Sequence, residues 1–400
     1  MINTEFCTRS TLKGCTLLRN TIYCYGGIPA TIVFRYRAET YQGFYKLDVS
    51  RNLTRDELMS NWTQLNDDVP FDSKPNMTLE ANADFAMVPI PNQASVVNGG
   101  VGYGAAVLTD TANGKKIPMT RLLNDETTKF DGQNWSIIPS GGIDQYFGQT
   151  GNYVESKQSI YYWGGWSVLN NRSADVTFRI LNYTTLQWSF SQSTPLPGDS
   201  IVRFRHTATM GADNKIYFIG GTSGYGANDS ISMQDILVYD TTADKWDLTK
   251  SQGSVTPSER SMHTTTWIPG TNTLLVYGGA ATLPEPNNFT TVSDYCYTYD
   301  TVQNQWTPHN PQGPSGAGAL YGHSGPAAPQ DYSPGVMFIL NLNNMSWSEQ
   351  YNANALNYVL PSPVKNITIP EPTQTPLPVV SNTPTIIGAV IGSVGSVRSH

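Results

Sequence analysis

Charge is scarce in this chain: Asp, Glu, Lys and Arg make up 14% of its 400 residues, and the formal net charge is −7. No cluster of Lys and Arg is available to neutralise phosphates, which argues against a nucleic-acid partner. Helical periodicity is also missing, apart from a weak signal at 55–58. These absences favour an all-β chain.

The common signatures of catalysis are missing as well. The sequence contains no GxSxG, no HExxH, no CxxC and no phosphate-binding loop before a helix. Its carboxylates are scattered through the turns, so a paired-carboxylate glycosidase cannot be argued from the sequence. We therefore assign no catalytic residue, no metal and no cofactor. The balance favours a protein that is not an enzyme, and the question of catalysis stays open.

A repeated pattern is present instead. Each unit contains an apolar strand that ends in Gly-Gly, a loop, and a second strand that ends in Tyr or Leu before Asp or Asn, with a Trp further on. Four tight copies and two looser ones place the pair and its Trp at Leu181-Asn182 and Trp188, Tyr239-Asp240 and Trp246, Tyr299-Asp300 and Trp306, Leu340-Asn341 and Trp347, then Leu47-Asp48 and Trp62, Leu123-Asn124 and Trp135. The doublets are Gly26-Gly27, Gly99-Gly100, Gly164-Gly165, Gly220-Gly221 and Gly278-Gly279.

This pattern resembles the kelch repeat over residues 9–350, and the resemblance implies four-stranded antiparallel blades of a β-propeller. The glycines allow the backbone to bend, and the Asp or Asn starts a turn by bonding its own backbone. The Trp gives the outer strand an apolar body to bury against the next blade. We predict an all-β propeller of six blades. The sixth is expected to be incomplete, because the interval from Trp306 to Trp347 is shorter than the two before it and 336–340 is left to serve alone.

Composition sets the predicted boundaries. Residues 1–13 are an N-terminal segment without the apolar run of a signal peptide, and 14–360 form the propeller. Residues 361–384 are rich in Pro and Thr, which favours an extended stalk. Residues 385–400 hold an apolar run that is shorter than the roughly twenty residues of a membrane span. We interpret it as a truncated transmembrane helix, with a glycolipid-anchor tail as the alternative.

Ten N-x-S/T sequons favour the secretory route, although an Asn-rich chain also makes sequons freely. Three of them, at Asn61, Asn134 and Asn344, fall in the turn into the outermost strand, where a glycan would blunt an exposed sheet edge. The predicted glycosylation sites are Asn52, Asn61, Asn76, Asn134, Asn171, Asn182, Asn228, Asn288, Asn344 and Asn366.

The chain has four cysteines. A two-residue hairpin loop after Leu18 places Cys15 opposite Cys24 in a non-hydrogen-bonded pair, where α-carbons lie about 4.5 Å apart. That spacing suits a disulfide, which we predict. In a reducing compartment both residues would be buried thiols. The pairing of Cys7 and Cys296 stays open.

Galactose oxidase, a copper enzyme, is the nearest enzymatic precedent among kelch propellers. Its site requires a Tyr directly followed by a ligand His, and this chain contains no such dipeptide. His206, His263 and His323 recur at the same blade position. We interpret them as structural residues held by hydrogen bonds between blades.

The loops after the Gly-Gly doublets line one face of the propeller and are the candidate binding surface. The aromatic and Arg residues that they carry are typical of binding hot spots, although they would also cover the channel mouth. They are Arg35, Tyr36, Arg37, Tyr41, Tyr103, Trp166, Tyr225 and Phe289.

We therefore predict a non-catalytic binding or scaffolding module, secreted or on the cell surface, that resembles stalked fungal kelch proteins. Its partner would be a protein or a carbohydrate on the loop face, with a membrane attachment through the C-terminal segment. One alternative is an extracellular carbohydrate-active propeller, either an oxidase or a lectin. The other is a cytosolic kelch scaffold with reduced cysteines and unmodified sequons.

Overall fold

The computed structural model of the chain describes residues 10–11, 14–29, 43–65, 82–103, 121–122, 127–139, 143–167, 172–174, 176–194, 202–224, 229–282, 289–313, 316, 318–319, 338–342 and 344–353. The strands in chain order are β1 (Ser10–Thr11), β2 (Gly14–Leu18), β3 (Thr21–Tyr25), β4 (Ile28–Pro29), β5 (Phe44–Asp48), β6 (Leu53–Thr54), β7 (Thr63–Leu65), β8 (Ala86–Ile90), β9 (Ala94–Asn98), β10 (Gly102–Tyr103), β11 (Arg121–Leu122), β12 (Thr127–Phe130), β13 (Trp135–Ile138), β14 (Tyr146–Phe147), β15 (Thr150–Val154), β16 (Ser159–Trp163), β17 (Trp166–Ser167), β18 (Arg172–Ser173), β19 (Arg179–Asn182), β20 (Gln187–Phe190), β21 (Thr207–Met210), β22 (Lys215–Ile219), β23 (Asp235–Asp240), β24 (Lys245–Lys250), β25 (Thr264–Ile268), β26 (Thr273–Tyr277), β27 (Ala280–Thr282), β28 (Phe289–Thr291), β29 (Cys296–Asp300), β30 (Gln305–Pro308), β31 (Ile339–Asn341), β32 (Ser346–Ser348) and β33 (Gln350–Tyr351). The helices are α1 (Arg55–Ser60) and a 3₁₀ turn at Glu155–Lys157.

Five antiparallel sheets of four strands follow one another along the chain. Their orders are β2-β3-β5-β7, β8-β9-β12-β13, β15-β16-β19-β20, β21-β22-β23-β24 and β25-β26-β29-β30. The first strands of successive sheets contact each other, from β2 to β8, β15, β21 and β25, so they surround a common axis. The predicted all-β propeller is therefore confirmed, and we number these sheets blades 1 to 5.

The Trp of each outer strand packs on the preceding blade. Trp246 of blade 4 stacks on Phe178 of blade 3 with ring centroids 4.8 Å apart, and its ring also lies 5.6 Å from Trp163. The expectation that it would bury against the next blade is wrong. Trp246 pairs with Tyr239 across the ladder, and both side chains lie on the sheet face that packs against blade 3.

The turns between third and fourth strands use the predicted Asp chemistry. Asp240 Oδ1 accepts hydrogen bonds from the N–H groups of Thr242 and Ala243 at 2.9 and 2.8 Å. In blade 2 this residue is Asp131, whose Oδ1 accepts from 133 and 134. The looser copy at Leu123-Asn124 is thus wrong, since β12 ends at Phe130 and pairs directly with Trp135.

The glycine doublets connect neighbouring blades. Gly221 N–H donates to the carbonyl of Arg260 at the start of blade 5, at 2.9 Å. A Cβ on Gly220 would lie 2.5 Å from that carbonyl oxygen, and Gly220 has a φ of +58°. Close approach and a left-handed backbone therefore both require glycine there.

A two-stranded sheet closes the ring. Leu340 of β31 and Trp347 of β32 pack with the core of blade 5, whereas Ile339 and Tyr351 belong to the core of blade 1. β33 also pairs with β6 of blade 1. The structure thus has five four-stranded blades, and at the position of the predicted sixth blade its described residues form the two strands β31 and β32. The predicted strand at 336–340 is described only from 338 onward, where β31 begins at Ile339.

The weak helical signal corresponds to α1, which begins with a capping box. Thr54 Oγ1 accepts from Glu57 N–H while the Glu57 carboxylate accepts from Thr54 N–H. Over the residues that the structure describes, no helix has the length and apolar character needed to cross a membrane. The predicted N-terminal segment is described only at 10–11, and the stalk and the apolar C-terminal segment lie outside the described residues.

Candidate binding site at the channel mouth

Four residues surround the axis where the innermost strands begin, and we call them the mouth ring: Asp84, Gly148, Arg205 and Met262. Each comes two residues before the innermost strand of its blade. Their φ angles are 59°, 65°, 53° and 54°, a left-handed conformation that is uncommon outside glycine.

Backbone hydrogen bonds join the mouth ring from blade to blade. Gly148 N–H donates to the carbonyl of Asp84 at 2.8 Å, Arg205 to Gly148 at 2.9 Å, and Met262 to Arg205 at 3.0 Å. The left-handed backbone directs these groups sideways around the axis rather than along a strand. The mouth ring thus holds Asp84, Arg205 and Met262 on one hydrogen-bonded arc of the circle around the axis, on the same face as the loops after the Gly-Gly doublets.

Arg205 and Asp84 form an ion pair across this circle. Arg205 Nε lies 2.9 Å from Asp84 Oδ2, and the two side chains are 14% and 9% exposed. The pair skips blade 3, whose ring residue is Gly148 and presents no side chain. Among the described residues, none bonds to the two terminal nitrogens of Arg205. Both terminal nitrogens can each donate to a further acceptor.

Aromatic side chains pack against the guanidinium group of Arg205. The Arg205 guanidinium carbon lies 5.0 Å from the Phe204 ring centroid, which is within cation–π range. Phe204 packs edge-on against Phe147 at 5.3 Å, and Val101 completes this buried cluster. Burial on both sides reduces the freedom of Arg205, which lowers the entropic cost of fixing it in a complex.

Two of the predicted loop-face residues border the mouth ring. Trp166 is half-buried against the cluster of Val101, Phe147 and Phe204, and Phe289 is half-buried against Met262. Tyr103 ends β10, which pairs with β11. The other predicted residues lie outside the described part of the chain: Arg35, Tyr36, Arg37, Tyr41 and Tyr225.

The histidines at the blade starts link neighbouring blades, as predicted. His206 Nε2 lies 2.9 Å from Thr150 Oγ1, and His263 Nε2 lies 3.0 Å from Thr207 Oγ1. Burial, reinforced by the charges of Arg260 and Arg203, lowers the pKa of His263 to about 3. Burial and the Arg203 charge likewise lower the pKa of His206 well below its ordinary value. Both rings are therefore neutral near pH 7. His323 lies outside the described residues.

The cysteines follow the predicted hairpin. Leu18 pairs with Thr21 and Cys15 with Cys24, and the latter two form a disulfide with α-carbons 4.1 Å apart. Cys296 is a buried thiol, and burial raises its pKa to about 12, which makes it a poor nucleophile. Cys7 lies outside the described residues, so its pairing with Cys296 stays open.

Five sequons fall in the described part of the chain. Asn52, Asn61 and Asn344 are exposed, and Asn134 and Asn182 are half-buried. The remaining predicted glycosylation sites lie outside the described residues: Asn76, Asn171, Asn228, Asn288 and Asn366. Among the described side chains, no three His, Cys, Asp or Glu residues converge as a metal site would require.

Sequence reasoning missed the mouth ring. The run from Arg203 to His206 holds two arginines, and the repeat pattern assigns no role to the second. Aligning the starts of blades 4 and 5 would have revealed it. Arg203 and Arg260 occupy the same position, are buried and donate to carbonyls. Arg205 and Met262 share the next position but one, which differs between the blades and belongs to the mouth ring. The partner carboxylate, Asp84, is two blades away and has no local sequence signal.

A family model described as the KLHDC2/KLHL20/DRC7 Kelch-repeats domain matches residues 125–330, which is more than half of the chain. The match runs from the second half of blade 2 to beyond blade 5. No curated protein matches the chain.

Proposed function

Because this chain belongs to the kelch-repeat family, we propose that its propeller is a non-catalytic scaffold that binds a partner protein through the face bearing the mouth ring. Kelch domains generally bind proteins. The supporting observation is Arg205, which is fixed by Asp84 and Phe204 while its terminal nitrogens bond to no other described residue.

The chemistry of Arg205 favours an acidic group on the partner. A guanidinium binds a carboxylate through two parallel N–H bonds, and Asp84 occupies only Nε. Such a bond is strengthened where the aromatic cluster excludes water. Half-buried Trp166 and Phe289 then provide apolar contacts at the edge of the site, which is how binding hot spots are built.

Peptide selection tests this proposal even though the partner has not been identified. A displayed random peptide library is selected on the wild-type propeller, and the selected peptides are then measured against Arg205→Ala. We expect peptides with Asp, Glu or a terminal carboxylate, bound at least tenfold more weakly by the variant, about 1.4 kcal/mol. An Asp300→Asn variant, altered in an outer turn, serves as the control. Equal binding to Arg205→Ala would contradict the proposal.

We further propose that the protein is secreted or held at the cell surface, as in the stalked fungal proteins it resembles. The Cys15–Cys24 disulfide and the ten sequons support an oxidising compartment. A membrane attachment through 385–400 and a carbohydrate as ligand are parts of this proposal that rest on the sequence alone.

Intact mass separates this location from the cytosolic alternative. The chain is expressed behind a supplied signal peptide, and its mass is measured with and without glycosidase and reductant. We expect glycans and one bridge between Cys15 and Cys24. A bare and fully reduced chain would indicate a cytosolic scaffold, and stoichiometric copper or sugar binding in the same sample would indicate a carbohydrate-active propeller.

A further inference from the structure

The outermost strand of each blade is the last strand of its sheet, and the six edges differ in how they are protected. Within the described residues, β30 and β32 each meet another segment through a single bridge, at Gln252 and Gln312. Natural edge strands avoid pairing with other chains by carrying charged residues or Pro. Only two of the outer strands do so. β24 contains Lys245, Asp247 and Lys250, and β30 ends in Pro308.

The other four outer strands contain neither a charge nor a proline. They are β7 (Thr63–Leu65), β13 (Trp135–Ile138), β20 (Gln187–Phe190) and β32 (Ser346–Ser348). β20 and its turn expose large apolar side chains. Phe190 of the strand is 54% exposed, and Leu186, in the turn before it, is 38% exposed. β32 is covered at one point, where Trp347 N–H donates to Gln312.

Sequons occur before the four unprotected strands and not before the two protected ones. Asn61, Asn134, Asn182 and Asn344 each lie in or at the turn that leads into β7, β13, β20 and β32. The corresponding turns of blades 4 and 5 begin with Asp240 and Asp300 and contain no sequon. We propose that N-linked glycans on these four Asn residues protect the edges that lack charge and proline.

The local geometry allows the modification without loss of the turn. Asn182 Oδ1 accepts hydrogen bonds from Thr184 and Thr185 N–H at 3.0 and 2.9 Å, and glycosylation takes place on Nδ2, which bonds to no described residue. Asn61 and Asn344 are exposed. Asn344 Oδ1 accepts the Ser346 hydroxyl at 2.7 Å, whereas the Ser60 hydroxyl beside Asn61 donates to the Asp56 carbonyl at 2.8 Å, and neither Nδ2 bonds to a described residue. A glycan is bulky and solubilising, so it hinders the approach of a second edge.

Blade 3 offers the sharpest test, because Asn182→Asp keeps the oxygen that Asp240 uses in the same turn of blade 4. The inference rests on the secretory location proposed above. The protein is secreted from a eukaryotic host, glycan occupancy is mapped by peptide mass, and self-association is followed by light scattering. We expect occupancy at Asn182, one glycan lost in Asn182→Asp, and a shift of that variant from monomer to larger species.

Three matched variants separate edge protection from misfolding. Adding Gln187→Lys to Asn182→Asp gives β20 the charge that Lys245 gives β24, and we expect the monomer to return. Conversely, Lys245→Gln with Asp247→Ser removes the charges near the turn of β24 and is expected to cause self-association. Asp240→Asn creates a sequon with Thr242, and we expect its glycan to suppress that association.

The outcomes distinguish this inference from the proposed location. A bare Asn182 beside an occupied Asn52 would overturn edge protection and leave the location standing. An occupied Asn182 whose loss leaves the protein monomeric would also overturn it. Sequons that are all bare, together with reduced Cys15 and Cys24, would overturn the location itself.

Discussion

Blade 4 has four strands and every feature of the repeat, whereas the sheet between blades 5 and 1 has two strands in the part of the chain that the structure describes. Trp246 of blade 4 is surrounded by aromatic rings from its own and the preceding blade. Trp347 of the closing sheet contacts Tyr277 and Phe338. The closing sheet instead depends on contacts with both neighbours. A complete blade thus follows from local repeats, and closure depends on contacts distant in sequence.

The largest loss of stability is expected when Trp246 of blade 4 is removed, and Trp347 of the closing sheet provides the comparison. Trp246→Ala removes a ring that is 2% exposed and stacked on Phe178, and we expect a loss of about 4 kcal/mol in the free energy of unfolding. Trp347→Ala, at 8% exposure and with fewer aromatic neighbours, is expected to cost about 2 kcal/mol. Urea denaturation measures both. Equal losses would show that closure is packed as firmly as a full blade.

The second-largest loss of stability is expected on removal of the Cys15–Cys24 disulfide, because it lies in the blade that packs against the closing sheet. Cys24 shares a core cluster with Ile339 and Tyr351. Replacing Cys15 and Cys24 together with Ser is expected to reduce the free energy of unfolding by about 3 kcal/mol. Denaturation of the wild type with reductant should reproduce this loss, and reductant should not affect the variant. An unchanged stability in both would contradict the assignment.

Acid is expected to weaken the links between blades 3, 4 and 5. Both buried histidines have a lower pKa in the folded state than in the unfolded chain, so the unfolded state binds more protons below about pH 6.5. Stability should be complete above that pH and fall as pH decreases toward 3. Between pH 6 and 5 the two residues together should remove about 2 kcal/mol.

A matched replacement for these histidines exists in the chain, since Gln149 holds the same position at the start of blade 3. His206→Gln and His263→Gln together should flatten the decline of stability between pH 6 and 5, measured by denaturation at each pH. A decline as steep as that of the wild type would assign the acid sensitivity to other groups.

The smallest effect tests the turn chemistry of blade 4. Asp240→Ala removes the acceptor of two backbone N–H groups and should reduce the free energy of unfolding by about 1 kcal/mol. Asp240→Asn keeps the oxygen and should be nearly neutral in protein made without glycosylation. A loss of 1 kcal/mol in both variants would show that the charge of Asp240 matters more than its acceptor oxygen.

Local chemistry is what made the fold predictable. The hairpin of Cys15 and Cys24 and the Asp240 turn each involve residues that are close in sequence, so short-range stereochemistry specifies them. The blade 2 repeat was misplaced for the same reason, because Asp131 is separated from Trp135 by three residues and does not match the longer spacing of the other copies.

The candidate site was much less predictable. Trp166 and Phe289 were expected on the loop face and do border the mouth ring. Trp166 packs against Val101 and Phe204 of the neighbouring blades, whereas Phe289 packs against Met262 and Ala280 of its own blade, and the repeat spacing signals neither contact. The ion pair of Arg205 and Asp84 joins residues that no repeat spacing relates, and it forms because Gly148 leaves the blade between them without a side chain.

The repeat, the all-β propeller, the disulfide hairpin and the shortened sixth repeat unit all follow from the amino-acid sequence, because each is recorded in residues that are near neighbours along the chain. Three features do not follow from the sequence. They are the blade against which each tryptophan packs, the closure of the ring by β31 and β33, and which of Arg203 and Arg205 lies at the channel mouth. Those features depend on the position of one blade against another, and that position is set by packing across the whole ring.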